Sequence, residues 1–320
     1  MQKSIKLLGL LLFAQVLLAL GVILNQPGLQ ARSVDEPLFS GFDMDAVERL
    51  TIADADGSEV VLERAGEGWQ LPALEGFPAE TAKVEGLLRR LRDLAVGAPV
   101  ATSTAALERF RVDAERFERR IRIEGGSDEP QTLYLGTASG TRSVHARSSK
   151  EQAVYLVDMA VYHAPAAIED WLDKDVLQFP SEDVTAIRGG GLDLRREAAE
   201  DEKALVWRWS EDEPIDQEAA DDLANRLARL RIAEVLGREE KPDFGLDSPV
   251  VELVLERRDQ EALTYRLGKL AHGDGYTLQV SNRPEYFRLP NYAAKSIIDA
   301  AKRDTLLAKE DPEEAAAEGA

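Results

Sequence analysis

The chain has 320 residues, enough for two ordinary domains around sizeable cores. Its 39 Lys+Arg against 59 Asp+Glu leave a net charge of −20, which argues against the basic stripe that nucleic-acid binding requires. There is no Cys, so disulfides, thiolate metal sites, cysteine nucleophiles and cysteine-linked lipid anchors are excluded; three His leave little material for a His-rich metal site or triad.

Residues 7–24 read LLGLLLFAQVLLALGVIL, with Gln15 as the one strongly polar member. As a helix this run spans roughly 27 Å, close to a hydrocarbon core of about 30 Å. Lys3 and Lys6 precede it, which predicts an N-terminus in the cytoplasm and a body exported to the periplasm, as for a bacterial inner-membrane protein. A cleaved signal peptide needs a shorter run and small residues before the cut. The following NQPGLQARS offers no Ala-x-Ala site, so residues 1–24 are expected to form an uncleaved transmembrane anchor, with 25–41 a linker.

From Phe42 the hydropathy pattern repeats once, at a spacing of roughly 130 to 138 residues. Phe42–Val47 is answered by Phe179–Val184, and each opens a predicted hairpin, turning at Asp56-Gly57 and at Gly189-Gly190-Gly191. Trp69 and Trp207 follow at matched places. An amphipathic helix comes next, with stripes at Val84, Leu87, Leu88, Leu91 and Leu94, and at Leu223, Leu227 and Leu230. Phe110-Arg111-Val112-Asp113 and Phe244-Gly245-Leu246-Asp247 then lead into four alternating strands each. Closing helices are predicted near 159–173 and 291–303, and the acidic end 308–320 reads as a disordered tail. The predicted fold class is therefore α+β. It comprises an N-terminal transmembrane helix and two tandem repeats, 42–178 and 179–307, each with hairpin strands, an amphipathic helix, a four-stranded antiparallel meander and a closing helix.

These boxes resemble the family known as domain of unknown function 4340. The resemblance is carried by Phe244-Gly245-Leu246-Asp247-Ser248-Pro249, the strand ending Leu267-Gly268, the aromatic strand Glu285–Leu289 and the junction Asp170–Phe179. The first copy departs from it, with Arg111 in place of Gly and Ala114-Glu115 in place of Ser-Pro. The resemblance covers about residues 42–307. It implies a single-anchor envelope protein, some of whose relatives are encoded beside ABC-type export systems, and it implies no reaction.

No Walker A loop, Gly-x-Ser-x-Gly elbow, His-Glu-x-x-His or complete dinucleotide fingerprint occurs. Gly189–Gly191 reads as a hairpin turn and not a phosphate loop, because no Lys-Ser/Thr follows. Asp54-Ala55-Asp56-Gly57 starts like a calcium loop but lacks the later ligands, Ala65 standing where the Glu would be. The acidic run Glu211-Asp212-Glu213-Pro214-Ile215-Asp216, with Glu218, Asp221 and Asp222, reads as a solvated loop and helix start. His145, His163 and His272 are too scattered for one ligand set. Trp69, Trp207 and Trp209 read as core anchors in preference to sugar platforms, and Arg119-Arg120 and Arg195-Arg196 as exposed strand faces.

No catalytic, cofactor-binding or metal-binding residue is therefore expected, and no cofactor. The expectation is a non-enzymatic, single-pass periplasmic accessory protein. Its partners are the bilayer, through the N-terminal helix, and ABC-type transporter subunits or other envelope proteins. The alternatives are a binding module for an envelope glycan or other ligand, and a hydrolase using two carboxylates, whose separation only a structure gives.

Overall fold

In a computed structural model of the chain, the described residues are 15, 36–39, 42–199, 205–210 and 213–308. The chain divides into two compact units, Met1–Trp171 and Leu172–Ala320.

The first unit contains, in order, β1 (Glu36–Pro37), β2 (Val47–Asp54), β3 (Glu59–Ala65), β4 (Gly68–Leu71), β5 (Phe77–Ala79), α1 (Thr81–Arg92), β6 (Ala95–Val96), α2 (Thr104–Phe110), β7 (Arg119–Gly125), β8 (Gln131–Ala138), β9 (Val144–Ser148) and β10 (Tyr155–Val157). Eight of the strands form one antiparallel sheet in the order β10-β9-β8-β7-β2-β3-β4-β5, while β1 pairs with β6. Period-2 alternation sets the buried face: Leu50 and Ile52 of β2, Val60 and Leu62 of β3, and Ile121 and Ile123 of β7 all point inward. Helix α1 buries Val84, Leu87, Leu88 and Leu91 of the predicted stripe, whose fifth member, Leu94, lies just beyond the helix end. A second, smaller cluster of Leu107, Val112, Tyr134 and Val154, with Phe110 and Phe117 against it, ties α2 to β8.

The second unit contains β11 (Val184–Gly189), β12 (Leu192–Ala198), β13 (Leu205–Trp209), α3 (Gln217–Ala228), β14 (Glu234–Gly237), β15 (Val251–Arg257), β16 (Gln260–Lys269), β17 (Tyr276–Val280), β18 (Tyr286–Leu289), α4 (Asn291–Ala300) and α5 (Arg303–Leu306). Its eight strands are ordered β13-β12-β11-β15-β16-β17-β18-β14. Helix α3 is capped by the Asp216 side chain, which accepts from Ala219 N–H at 3.0 Å, and packs on β11, β13 and α4.

The two tetrapeptide boxes acquire a physical meaning here. In the second unit the box lies across β16, and a Cβ on Gly268 would sit 2.3 Å from the Phe244 carbonyl oxygen. In the first, a Cβ on Gly136 of β8 would sit 1.9 Å from the Phe110 carbonyl oxygen. Each box also binds an arginine of its sheet: Arg266 donates to the Leu246 carbonyl at 2.6 Å, and Arg147 to the Val112 carbonyl at 2.6 Å. Gly245 turns left-handed at φ +66°, and Arg111 adopts φ +56° at the equivalent place.

The expected fold class is corrected by these sheets. The chain is mostly antiparallel β-sheet with few helices, the longest of those described having 12 residues, and not the α+β layout of two repeats. Hairpin and meander do not stand apart, because β2 pairs with β7 and β11 with β15, which makes each sheet continuous. These pairings join residues about seventy apart in sequence, beyond the reach of local pattern. The closing helix expected near 159–173 is replaced by two 3-10 turns, Val161–His163 and Ile168–Asp170, separated by Pro165. Proline lacks the N–H and disfavours helix in the residue before it. Among the described residues no helix is long and apolar enough to cross a membrane. The anchor read at Leu7–Leu24 lies outside them apart from Gln15, as do most of the 25–41 linker and of the acidic tail.

Candidate functional site

The residues singled out in the sequence lie in separate places. Trp69, Trp207 and Trp209 are all buried, and a guanidinium covers each indole: Arg64 at 4.8 Å, Arg196 at 4.6 Å and Arg303 at 4.9 Å. Flat aromatic faces for stacking a sugar are not what these three present. His145 stacks on Phe110 with centroids 4.0 Å apart, and its Nδ1 lies 2.8 Å from the Thr137 carbonyl oxygen, which places the proton on Nδ1. His163 Nδ1 accepts from Ala160 N–H at 3.1 Å; burial, aided by the charge of Arg90, holds its pKa below the usual histidine value. His272 is exposed beside the turn before β17. Among the described residues no group of three or more His, Asp or Glu could hold a metal ion.

The charged runs are consumed by local structure. Asp54 Oδ1 accepts from the N–H groups of Asp56 at 3.0 Å and Ser58 at 2.9 Å, closing the turn that resembled a calcium loop. Burial acts to raise the Asp54 pKa, but these N–H groups and Arg119 together hold it below the ordinary value. Gly189, Gly190 and Gly191 all have positive φ in the β11–β12 hairpin. In the acidic run, Glu213 pairs with Arg303 at 2.6 Å, Asp216 caps α3, and Asp222 pairs with Arg226 at 2.7 Å. Asp221 accepts from both Trp207 Nε1 at 2.9 Å and Arg196 at 2.5 Å. Glu211 and Asp212 lie outside the described residues. Arg119 pairs with Asp54, Arg120 with Glu59 and Arg195 with Asp193, on strand faces.

The feature that does form a site is the free edge of β13. A groove of about 470 Å³ runs along it, lined by Val206–Trp209 of the strand and by Glu213, Pro214, Ile215 and Gln217 opposite. Among the described residues β13 pairs with β12 alone, so its other side presents backbone groups outward. Gln217 closes the middle of that edge: its Oε1 accepts from Trp207 N–H and its Nε2 donates to the Trp207 carbonyl, both at 2.7 Å. One side-chain amide thus makes the two bonds that a neighbouring strand would make. By the alternation of an antiparallel strand, Leu205 and Trp209 present their backbone groups on this same side. Leu205 also has an exposed side chain. Gln217 thus seals the middle of the edge and leaves the flanking backbone groups of Leu205 and Trp209 beside the groove. A second, charged hollow on the first sheet, of about 590 Å³, is lined by Glu48, Arg49, Glu63, Arg64, Gly66 and Glu124, three acids against two arginines. There Arg49 pairs with Glu63, and Arg64 donates to the carbonyls of Val47 and Met44 at 2.8 and 3.0 Å.

Sequence reasoning missed Gln217 altogether, because a glutamine at a helix start carries no periodic or motif signal. It also missed Glu285, a carboxylate whose side chain is only 3% exposed and which receives Arg238 and Arg283, each at 3.0 Å. An acid directly before the aromatic strand was the available hint.

No match is found among curated proteins or among solved structures. The family model of a domain of unknown function (DUF4340) matches residues 69–249 as one domain, from Trp69 in β4 to Pro249 just before β15. That segment is more than half of the chain and contains the Phe244–Asp247 box seated on Gly268, so the chain belongs to the DUF4340 family.

Proposed function

We propose that this chain is a non-enzymatic accessory protein of the cell envelope, tethered through its apolar N-terminal segment, that works by holding a protein partner. The observation carrying this reading is the use made of its charged groups. Glu213 on the groove wall is paired with Arg303, and Asp216, Asp221 and Asp222 serve as cap and hydrogen-bond or ion-pair partners, while the groove offers a strand edge and a mixed wall in which Val206, Pro214 and Ile215 stand beside Arg208 and Glu213. On either side of the Gln217 seal, the backbone groups of Leu205 and Trp209 support recognition of an extended backbone by main-chain hydrogen bonds. The sequence supports the tether, with Lys3 and Lys6 before an eighteen-residue apolar run. An envelope transporter of the ABC type is the finer form of the partner.

Two experiments test this. A photo-crosslinking residue at Leu205 should capture a discrete envelope protein, and the same residue at the exposed Tyr292 on α4 should not. Capture of nothing, or the same captures at both sites, defeats the partner reading. An export-dependent reporter fused after residue 307 should be active; activity only in a cytoplasm-dependent reporter overturns the orientation.

A further inference from the structure

Tyr265 of β16 lies inside the second unit, 3% exposed, and its hydroxyl oxygen is buried without a protein hydrogen-bond partner. Tyr265 is one of the residues lining a cavity of about 70 Å³ whose wall also includes Phe179, Arg257, Leu263, Val280 and Asn282. Burial pushes the phenol well above its ordinary pKa, and the charge of Arg257 acts against that rise. The hydroxyl is therefore neutral and able to donate. Arg257 stacks on Phe179, its guanidinium carbon 5.2 Å from the ring centroid, and gives Nε and Nη2 to the Glu261 carbonyl at 3.3 and 2.9 Å. Its neighbours on the sheet are treated differently: Arg188 is paired with Glu256, and Arg266 approaches Glu240 and Glu252. Among the described residues no carboxylate pairs with Arg257, which gives its hydrogen bonds to a neutral carbonyl and brings its positive charge to the cavity wall.

We propose that this cavity is a binding site for one small monovalent anion, of the size of chloride or formate, held by the Tyr265 hydroxyl and the Arg257 guanidinium. The volume admits one such ion and a water. A hydroxyl donor to an anion makes a charge-assisted bond, stronger than one to a neutral acceptor.

The test uses ¹³C-formate and the full-length chain, with sodium gluconate, too large for the cavity, holding ionic strength constant. Formate resonances should broaden on binding and sharpen again when chloride competes. Tyr265→Phe removes one oxygen that bonds no protein group, so it should fold as the wild type does and weaken formate binding about tenfold. Arg257→Gln, checked for folding by near-ultraviolet circular dichroism, should abolish it. Absence of broadening in the wild type overturns the proposal and leaves the cavity to water. So does undiminished affinity in Tyr265→Phe, which would place the formate elsewhere.

Discussion

Replacing Gly268 with alanine tests how closely the Phe244–Asp247 box approaches the sheet. The added Cβ would stand 2.3 Å from the Phe244 carbonyl oxygen and 2.8 Å from the Gly245 carbonyl, both backbone atoms. Restoring ordinary contact requires the box to retreat by about 1 Å, against a close-packed surround. The box cannot move freely, since Arg266 holds the Leu246 carbonyl at 2.6 Å and Ala271 N–H donates to the Asp243 carbonyl at 2.9 Å. Overpacking costs about 1–3 kcal/mol where side chains can yield, and backbone obstruction places Gly268→Ala at the upper end, about 3 kcal/mol. The gain from a stiffer unfolded chain, about 0.4–1 kcal/mol, does not offset it. Gly97→Ala is the control, because nothing lies within 4 Å of its added Cβ and its φ is ordinary. In a urea titration followed through tryptophan emission, Gly268→Ala should lower the midpoint of the second unit by roughly 1–3 M, given slopes of about 1–3 kcal/mol/M. Gly97→Ala should not lower it. A Gly268→Ala midpoint indistinguishable from that of the wild type would refute the reasoning.

Four further outcomes are expected. Arg111→Gly relieves a left-handed residue at φ +56°, worth about 1–2 kcal/mol, but loosens the unfolded chain and removes the exposed pair with Glu118. In a urea titration it should leave the stability of the first unit level or raised by up to about 1 kcal/mol; a loss of more than that contradicts the strain argument. Gln217→Ala removes both bonds to Trp207 and should cost about 1–2 kcal/mol while exposing the strand edge. Light scattering should then show concentration-dependent association, and a monodisperse variant of unchanged stability would dismiss the sealing role. Glu285→Ala leaves Arg238 and Arg283 without their shared buried carboxylate and should cost about 2–3 kcal/mol in the same titration; a loss under about 1 kcal/mol would show that these arginines are satisfied by other groups. His163 has a folded pKa below its unfolded value near 6.5, so the stability it contributes is complete above that value and declines as pH falls through it towards the folded pKa. His163→Asn keeps an acceptor for Ala160 N–H and should flatten that decline between about pH 7 and 5; an identical slope in both proteins would place the pH sensitivity elsewhere.

Local elements were largely legible because each is written in neighbouring residues. The stripe from Val84 to Leu91 is the buried face of α1, and the alternation in RRIRIEG and VVELVLER became β7 and β15. The turns at Asp56-Gly57 and Gly189–Gly191 fell where glycine permits positive φ. The closing helix near 159–173 failed on a residue in plain view, since Pro165 interrupts it. The candidate site was barely legible. The buried indoles and scattered histidines were readable as structural, but the free edge of β13 depends on which strands flank it, and its seal depends on where α3 begins.

By itself, the amino-acid order determined charge, the apolar N-terminal run and the kind and place of most strands and helices, because these depend on composition and on contacts a few residues away. Tertiary structure alone decided the fold class. The pairing of β2 with β7 and of β11 with β15 turned predicted hairpins and meanders into two eight-stranded sheets. It also decided the reason for Gly136 and Gly268, whose missing side chains make room for a backbone segment more than twenty residues away. Strand pairing and backbone approach join segments far apart in the chain, and hydropathy records which face a residue turns inward but not which segment lies against it.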